Sequence, residues 1–362
     1  MRVGQRIAGV VAVAAATTAL GAAPAAAHGT SGPEATNYDT RVQEISPETP
    51  GLSVRAVDLG ERLELRNTTA TDVVVLGYQD EPYLRVGPDG VFENRRSPAT
   101  YLNESPDDED VRLPEIADPD APPEWRRIGD GDTARWHEHR AHWMGSRDPP
   151  AVRRDRGSRH VVQPWTVELR RSGDSIEVTG DVVWVPGPSP WPWLLVALGL
   201  AVAVVAGSRL RRWPAVFVVA LIGAIGATAA HLVGEWGATT ASVASTLGGG
   251  IYAIGAVGLG AVALALLVAR NDASDATPAV LIAGLVLALG AGLADLGSLW
   301  HSQLASTQAA ALVRLEVSAA LGLGLGVAAA AALRLRRPAP GTARPAPTPT
   351  DGPPSELPAA TR

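Results

Sequence analysis

The chain has 362 residues, a formal charge of −6 and no cysteine, so disulfides and thiolate ligands are excluded and the acidic balance argues against a nucleic-acid partner. All 31 Lys/Arg positions are arginine, and 46% of residues are apolar. Composition changes abruptly along the length, which divides the chain into zones.

Residues 1–27 read as a signal peptide. Arg2 and Arg6 form a charged start, Ile7 to Leu20 an apolar stretch too short to span a bilayer, and Ala25-Ala26-Ala27 a small-residue cleavage site. Cleavage after Ala27 leaves His28 at the mature N-terminus, where its imidazole and the free α-amino group can chelate Cu(II) together.

Residues 28–188 predict an exoplasmic all-β domain, an immunoglobulin-like antiparallel sandwich. Short segments rich in β-formers, Leu52 to Asp58, Arg62 to Asn67, Asp72 to Tyr78 and Pro82 to Gly87, follow one another with turn residues between them. His160 to Arg170 and Ser175 to Pro186 close the domain in the same style. Pro98 to Trp125 interrupts it with a proline-rich acidic stretch. Its run Asp107, Asp108, Glu109 and Asp110 lacks the glycine turn and ligand spacing of a calcium loop and reads as solvated.

The stretch "RWHEHRAHWMG" (Arg135 to Gly145) gathers three of the seven histidines and the one methionine outside the leader. On a strand, His137 and His139 share a face opposite Trp136 and Glu138, with Cα atoms about 7 Å apart. His142 and Met144 lie close by in sequence. Imidazole suits copper, zinc and nickel, and thioether sulfur favours Cu(I). His28, His137, His139, His142 and Met144 are therefore the metal-ligand set that the sequence offers, with a solvated or structural role, or a pH switch, as the other readings.

Beyond 188 the chain predicts an all-α transmembrane bundle of five helices over 189–335: 192–208, 214–232, 247–268, 278–300 and 312–333. Arg209, Arg211, Arg212, Arg270, Arg334, Arg336 and Arg337 follow the odd spans, whereas Val233 to Thr246 and His301 to Ala311 contain no arginine. Positive charge on the cytoplasmic side puts the β domain outside and the C-terminus inside a cell membrane. Trp191, Trp193, Trp213, Trp236 and Trp300 lie at span ends, and glycines such as Gly255, Gly260, Gly322, Gly324 and Gly326 allow close helix approach. Residues 336–362, rich in Pro, Ala and Thr, are expected to be a disordered cytoplasmic tail.

The outer rim of the bundle carries a second polar cluster. His231 and Glu235 are four apart on one helix face, Asp295 and His301 close the fourth span, and Arg314 and Glu316 open the fifth. Such groups are costly in a membrane unless they pair or serve a site. An ion-pair network, for instance Arg314 with Asp295 or Glu235, stands beside a metal or proton site. No charge appears in the cytoplasmic halves of the spans, so no path across the bilayer is visible.

In layout, "AAAHG" at the cleavage site, a cysteine-free exported β domain and a multi-span bundle resemble the bacterial copper-handling proteins CopC and CopD, including their fused forms. The resemblance implies a Cu(II) ligand at His28 only, and the Asp-x-His pair of CopC-like domains is absent. Gly77 to Asn103 and Ala134 to Gly145 resemble an actinobacterial family of multi-span membrane proteins with signal peptides, and that likeness implies no activity. Together these readings predict a membrane-anchored exoplasmic metal-binding protein, with copper as the metal and an exoplasmic metal donor or acceptor as partner, and without catalysis. A cell-envelope scaffold with no metal is the alternative. Copper monooxygenases that attack polysaccharides share the histidine N-terminus and β sandwich, but nothing else points to one. No GxSxG, phosphate-loop or HExxH motif is present.

Overall fold

The computed structural model describes residues 33–104, 111–240, 243–270 and 272–336, except the side chains of 244 and 245. The leader, His28, the run Asp107 to Asp110 and the tail from 337 lie outside the described residues.

Among the described residues the N-terminal region forms ten strands, most of them with period-two alternation of apolar residues. They are β1 (Tyr38–Ser46), β2 (Leu52–Val57), β3 (Arg62–Asn67), β4 (Val73–Leu76), β5 (Pro82–Gly87), β6 (Gly90–Asn94), β7 (Trp125–Gly129), β8 (Thr133–His137), β9 (His160–Arg171) and β10 (Asp174–Trp184). Two short helices, α1 (Pro98–Leu102) and α2 (Pro150–Arg154), interrupt them. All pairings are antiparallel: seven strands run in the order β1-β10-β9-β4-β5-β6-β7, and three in the order β2-β3-β8. An immunoglobulin constant-type sandwich divides four to three instead.

The two sheets share one core. Leu63, Leu65 and Trp136 from the smaller sheet join Val75, Val86, Leu169 and Ile176 from the larger. Ser172 and Gly173, both at positive φ, make the tight turn that sets the β9–β10 register. Among the strands, β1, β6 and β7 were not anticipated from sequence. The outer strands β1 and β7 are mostly exposed or half-buried and so lack a continuous apolar face.

The C-terminal region is helical: α3 (Trp191–Gly207), α4 (Trp213–Ala238), α5 (Val243–Gly249), α6 (Ile251–Ala269), α7 (Thr277–Leu287) and α8 (Ala310–Leu335). Among the described residues four helical stretches are long and apolar enough to cross a membrane, 213–238, 251–269, 273–293 and 310–335; α3 has 17 residues. Helix α8 packs against α3, α4 and α7. Its glycines allow this: a Cβ on Gly322 would fall 2.3 Å from the Ala197 carbonyl oxygen, and one on Gly324 2.8 Å from that of Gly284.

Two boundaries differ from the sequence expectation and shape the site. Helix α4 continues to Ala238, six residues past the expected end, so Glu235 and Trp236 are helical. The fourth stretch does not remain helical to 300. It passes from α7 into a π-helical segment at Ala288–Leu293, and Asp295 then precedes a 3-10 turn at Leu296–Leu299.

The head is joined to the bundle by specific bonds. Thr36 and Gln303 exchange backbone hydrogen bonds at 3.0 and 2.8 Å. Ser302 N–H donates to Asn37 Oδ1 at 2.8 Å, and its hydroxyl to the Val185 carbonyl at 2.9 Å. Thr240 donates its N–H and hydroxyl to the two carboxylate oxygens of Asp58, at 3.1 and 2.5 Å. Asp58 opens a turn of three successive positive-φ residues, which sequence reading missed.

Candidate metal centre

Four elements meet at the end of the bundle that faces the head. Helix α4 carries His231 and, one turn on, Glu235. The chain leaving the π-helical segment delivers Asp295. Helix α8 delivers Glu316 from its second turn. The 301–308 connection lies along α4, tied there by Thr307 N–H to the Gly234 carbonyl at 3.0 Å and by Gln308 Nε2 to the Ala230 carbonyl at 2.6 Å. A π-helical turn inserts an extra residue, which changes the face on which the following side chains emerge, and such turns are common at functional sites.

His231 is 5% exposed and lies at the centre. Its Nε2 is 3.3 Å from Glu235 Oε1 and 3.3 Å from Asp295 Oδ2, while Nδ1 is 3.8 Å from Glu316 Oε2. None of these contacts has hydrogen-bond geometry, so they are ion-pair contacts that depend on the charge of the ring. Buried side-chain polar atoms rarely lack a partner, yet Thr228 Oγ1, Ser298 Oγ, His301 Nδ1, Gln308 Oε1 and Glu316 Oε2 lack one in the same region. His231, Glu235, Asp295 and His301 all line a cavity of about 320 Å³.

The donor geometry suits a cation. A nitrogen and two carboxylate oxygens, each about 2.0–2.2 Å from a four-coordinate ion, lie about 3.3 Å apart in a tetrahedral arrangement. His231 Nε2 stands at that separation from each carboxylate oxygen, and the three ligand atoms lie within 4.8 Å of one another. Three protein ligands leave a fourth position for water or an exchangeable ligand. Glu316, on the far side of the ring, is placed to orient the imidazole.

Arg314 does not neutralise these acids, contrary to the pairing with Asp295 or Glu235 offered above. It is 8% exposed, and its guanidinium donates to the carbonyls of Ser298 at 3.0 Å and His301 at 2.9 Å. It thereby holds the 3-10 turn and the residues after it. His301 borders the cavity with its ring tilted against Trp300. Burial lowers its pKa below the ordinary range, which keeps it neutral.

The other sequence-predicted set is arranged differently. Strand β8 ends at His137, and the chain turns through a 3-10 segment at 139–141, so the alternation expected to align His137 with His139 stops there. His137 accepts from Arg62 Nε and Nη2, both 3.1 Å from its Nε2, so that lone pair is already engaged. Burial, with the Arg62 charge second, pushes its pKa down to about 4. His139 sits against Tyr78, with ring centroids 6.2 Å apart. His142 and Met144 are half-buried in the following loop. Among the described residues, three or more His, Asp or Glu ligand atoms do not gather around these histidines; they do so at His231, Glu235 and Asp295.

Glu138, fully buried, holds the "RWHEHR" segment in place. It accepts from Trp136 Nε1 at 2.9 Å and from Arg140 Nε and Nη2, both at 2.8 Å. Arg140 also reaches the Leu76 and Gly77 carbonyls. The stretch is thus a buried ion pair with its imidazoles at the periphery.

No family model, curated protein or solved structure matches this chain.

Proposed function

We propose that this protein is a membrane-anchored, non-catalytic metal-binding protein whose centre lies at the exoplasmic rim of the bundle, with His231, Glu235 and Asp295 as ligands. The observation that carries the reading is His231 itself: buried, with two carboxylate oxygens 3.3 Å from Nε2 and neither contact in hydrogen-bond geometry. The order of affinities for nitrogen and oxygen donors puts Cu(II) and Zn(II) foremost. The nitrogen–oxygen donor spacing is compatible with Zn(II), and the three ligands offer no thioether, which weakens the case for Cu(I). The sequence argument for copper therefore narrows to Cu(II).

The finer topology belongs to the same reading. Helix α3 counts as a fifth span, the head is exoplasmic and the C-terminus cytoplasmic, in accord with the arginine distribution. The shared core supports a two-sheet sandwich, and the seven-to-three division of strands makes it only loosely immunoglobulin-like.

Titration of the purified full chain in detergent with Zn(II) and with Cu(II), followed by metal analysis after desalting, tests the proposal. One ion per chain is expected, falling to background in Glu235→Gln/Asp295→Asn. Equal retention by wild type and variant would overturn it. A second reading, a structural scaffold, rests on Glu316 as a third carboxylate beside His231, an arrangement that also suits an imidazolium ion. No stoichiometric binding of either metal would favour that scaffold.

A further inference from the structure

The head carries a concentration of arginine at the end nearest the bundle. Between 147 and 159, Arg147, Arg153, Arg154, Arg156 and Arg159 are exposed, against Asp148 and Asp155. Two bonds tie the segment to that end, and a third closes it on itself. Tyr38 OH donates to Asp148 Oδ1 at 2.9 Å, Trp184 Nε1 to the Arg156 carbonyl at 3.3 Å, and Arg156 to Asp148 Oδ2 at 2.6 Å. Tyr38 and Trp184 are register partners at the terminus of the sheet from which the chain enters the bundle. The next residues touch the bundle directly: Asn37 and Val185 bond to Ser302, and α3 starts at Trp191. Buried Val152 and Pro149 fix α2 with Arg153 and Arg154 outward. Asp148 is engaged by Arg156, and Asp39 lies by Arg41 and Arg159. Among the described residues, Arg147, Arg153 and Arg154 have no carboxylate within ion-pair distance.

We infer that Arg147, Arg153 and Arg154 form a docking surface for anionic phospholipid headgroups of the leaflet beside the head. The surface is cationic within a chain of net charge −6, and it stands at the end of the head from which α3 enters the bilayer. Exposed Trp191 and Trp300 mark that level. Arginine supplies paired donors that match phosphate oxygens. Attraction to an anionic membrane surface falls off within a Debye length, about 10 Å at 0.1 M salt, so only the near end of the head can use it.

The test is hydrogen–deuterium exchange of the full chain in nanodiscs of phosphatidylcholine alone and with 30% phosphatidylglycerol added. Peptides covering 147–160 are expected to exchange several-fold more slowly in the anionic discs at low salt. That protection should disappear at about 0.5 M salt and in Arg147→Gln/Arg153→Gln/Arg154→Gln, with β9 and β10 core amides unchanged as the check on folding. Equal exchange in both disc types, or protection in the anionic discs that survives the triple substitution, overturns the inference. So does equal protection by soluble polyphosphate in neutral discs, which would assign the patch to a soluble polyanion.

Discussion

Arg314 Nε donates to the backbone carbonyl of Ser298 at 3.0 Å, across the gap between α8 and the turn that follows Asp295. Among the described residues no arginine pairs with the acidic cluster around His231, because Arg314 is spent on backbone oxygens. Arg314→Met would leave the buried Ser298 carbonyl unsatisfied, at about 1–3 kcal/mol, remove the part-buried bond to His301, and release the turn that presents Asp295. Metal affinity, measured by competition with a chromophoric chelator, is expected to fall about 10–100-fold with the stoichiometry still one per chain. Unchanged affinity would separate the turn from the site.

His137 provides the pH prediction. Its pKa is about 4 in the folded protein, against about 6.5 unfolded. Between those values the unfolded chain binds more protons, so stability is complete above about pH 6.5 and declines as pH falls toward 4. Arg62 would then face an imidazolium. Urea unfolding of the full chain followed by tryptophan fluorescence should show a shallower loss over this window in His137→Gln than in wild type. The triple variant His137→Ala/His139→Ala/His142→Ala should retain one metal ion per chain. Loss of the ion would return the centre to the head.

Helix packing can be probed at two glycines with opposite expectations. A Cβ at Gly322 meets Ala197 backbone atoms at 2.3–2.9 Å, which only a shift of α3 can relieve. A Cβ at Gly255 meets nothing within 4 Å. Gly322→Ala is expected to cost about 1–3 kcal/mol, and Gly255→Ala to stay within about 0.5 kcal/mol, in thermal unfolding of the detergent-solubilised chain. Equal effects would contradict the observed packing of α3 on α8.

Strands with a buried face and long apolar helices were legible because hydrophobic periodicity reports burial directly. Thus Leu63 and Leu65 identified β3, and the run around Phe217 identified α4. Strand β1 escaped because Arg41, Gln43 and Glu44 are exposed along its length. The rim residues could be grouped from helix-end positions alone, but their pairing could not. Whether Arg314 meets an acid or a carbonyl depends on the π-helical segment and the turn at 296–299, and neither has a repeating pattern. The histidines of 137–142 drew attention through their density, while the decisive residue there was Glu138, whose burial depends on contacts with the distant 76–77 backbone. Ser298, which lines the cavity, carries no spacing signal, and its place there depends on the 3-10 turn.

X-ray absorption of the zinc-loaded full chain examines the proposed centre most directly. The account predicts one imidazole nitrogen and two carboxylate oxygens in the first shell, about 2.0–2.2 Å from the ion, with the imidazole scattering lost in His231→Ala. A shell with two or more imidazoles, or one unchanged by that substitution, would contradict a centre built from His231, Glu235 and Asp295.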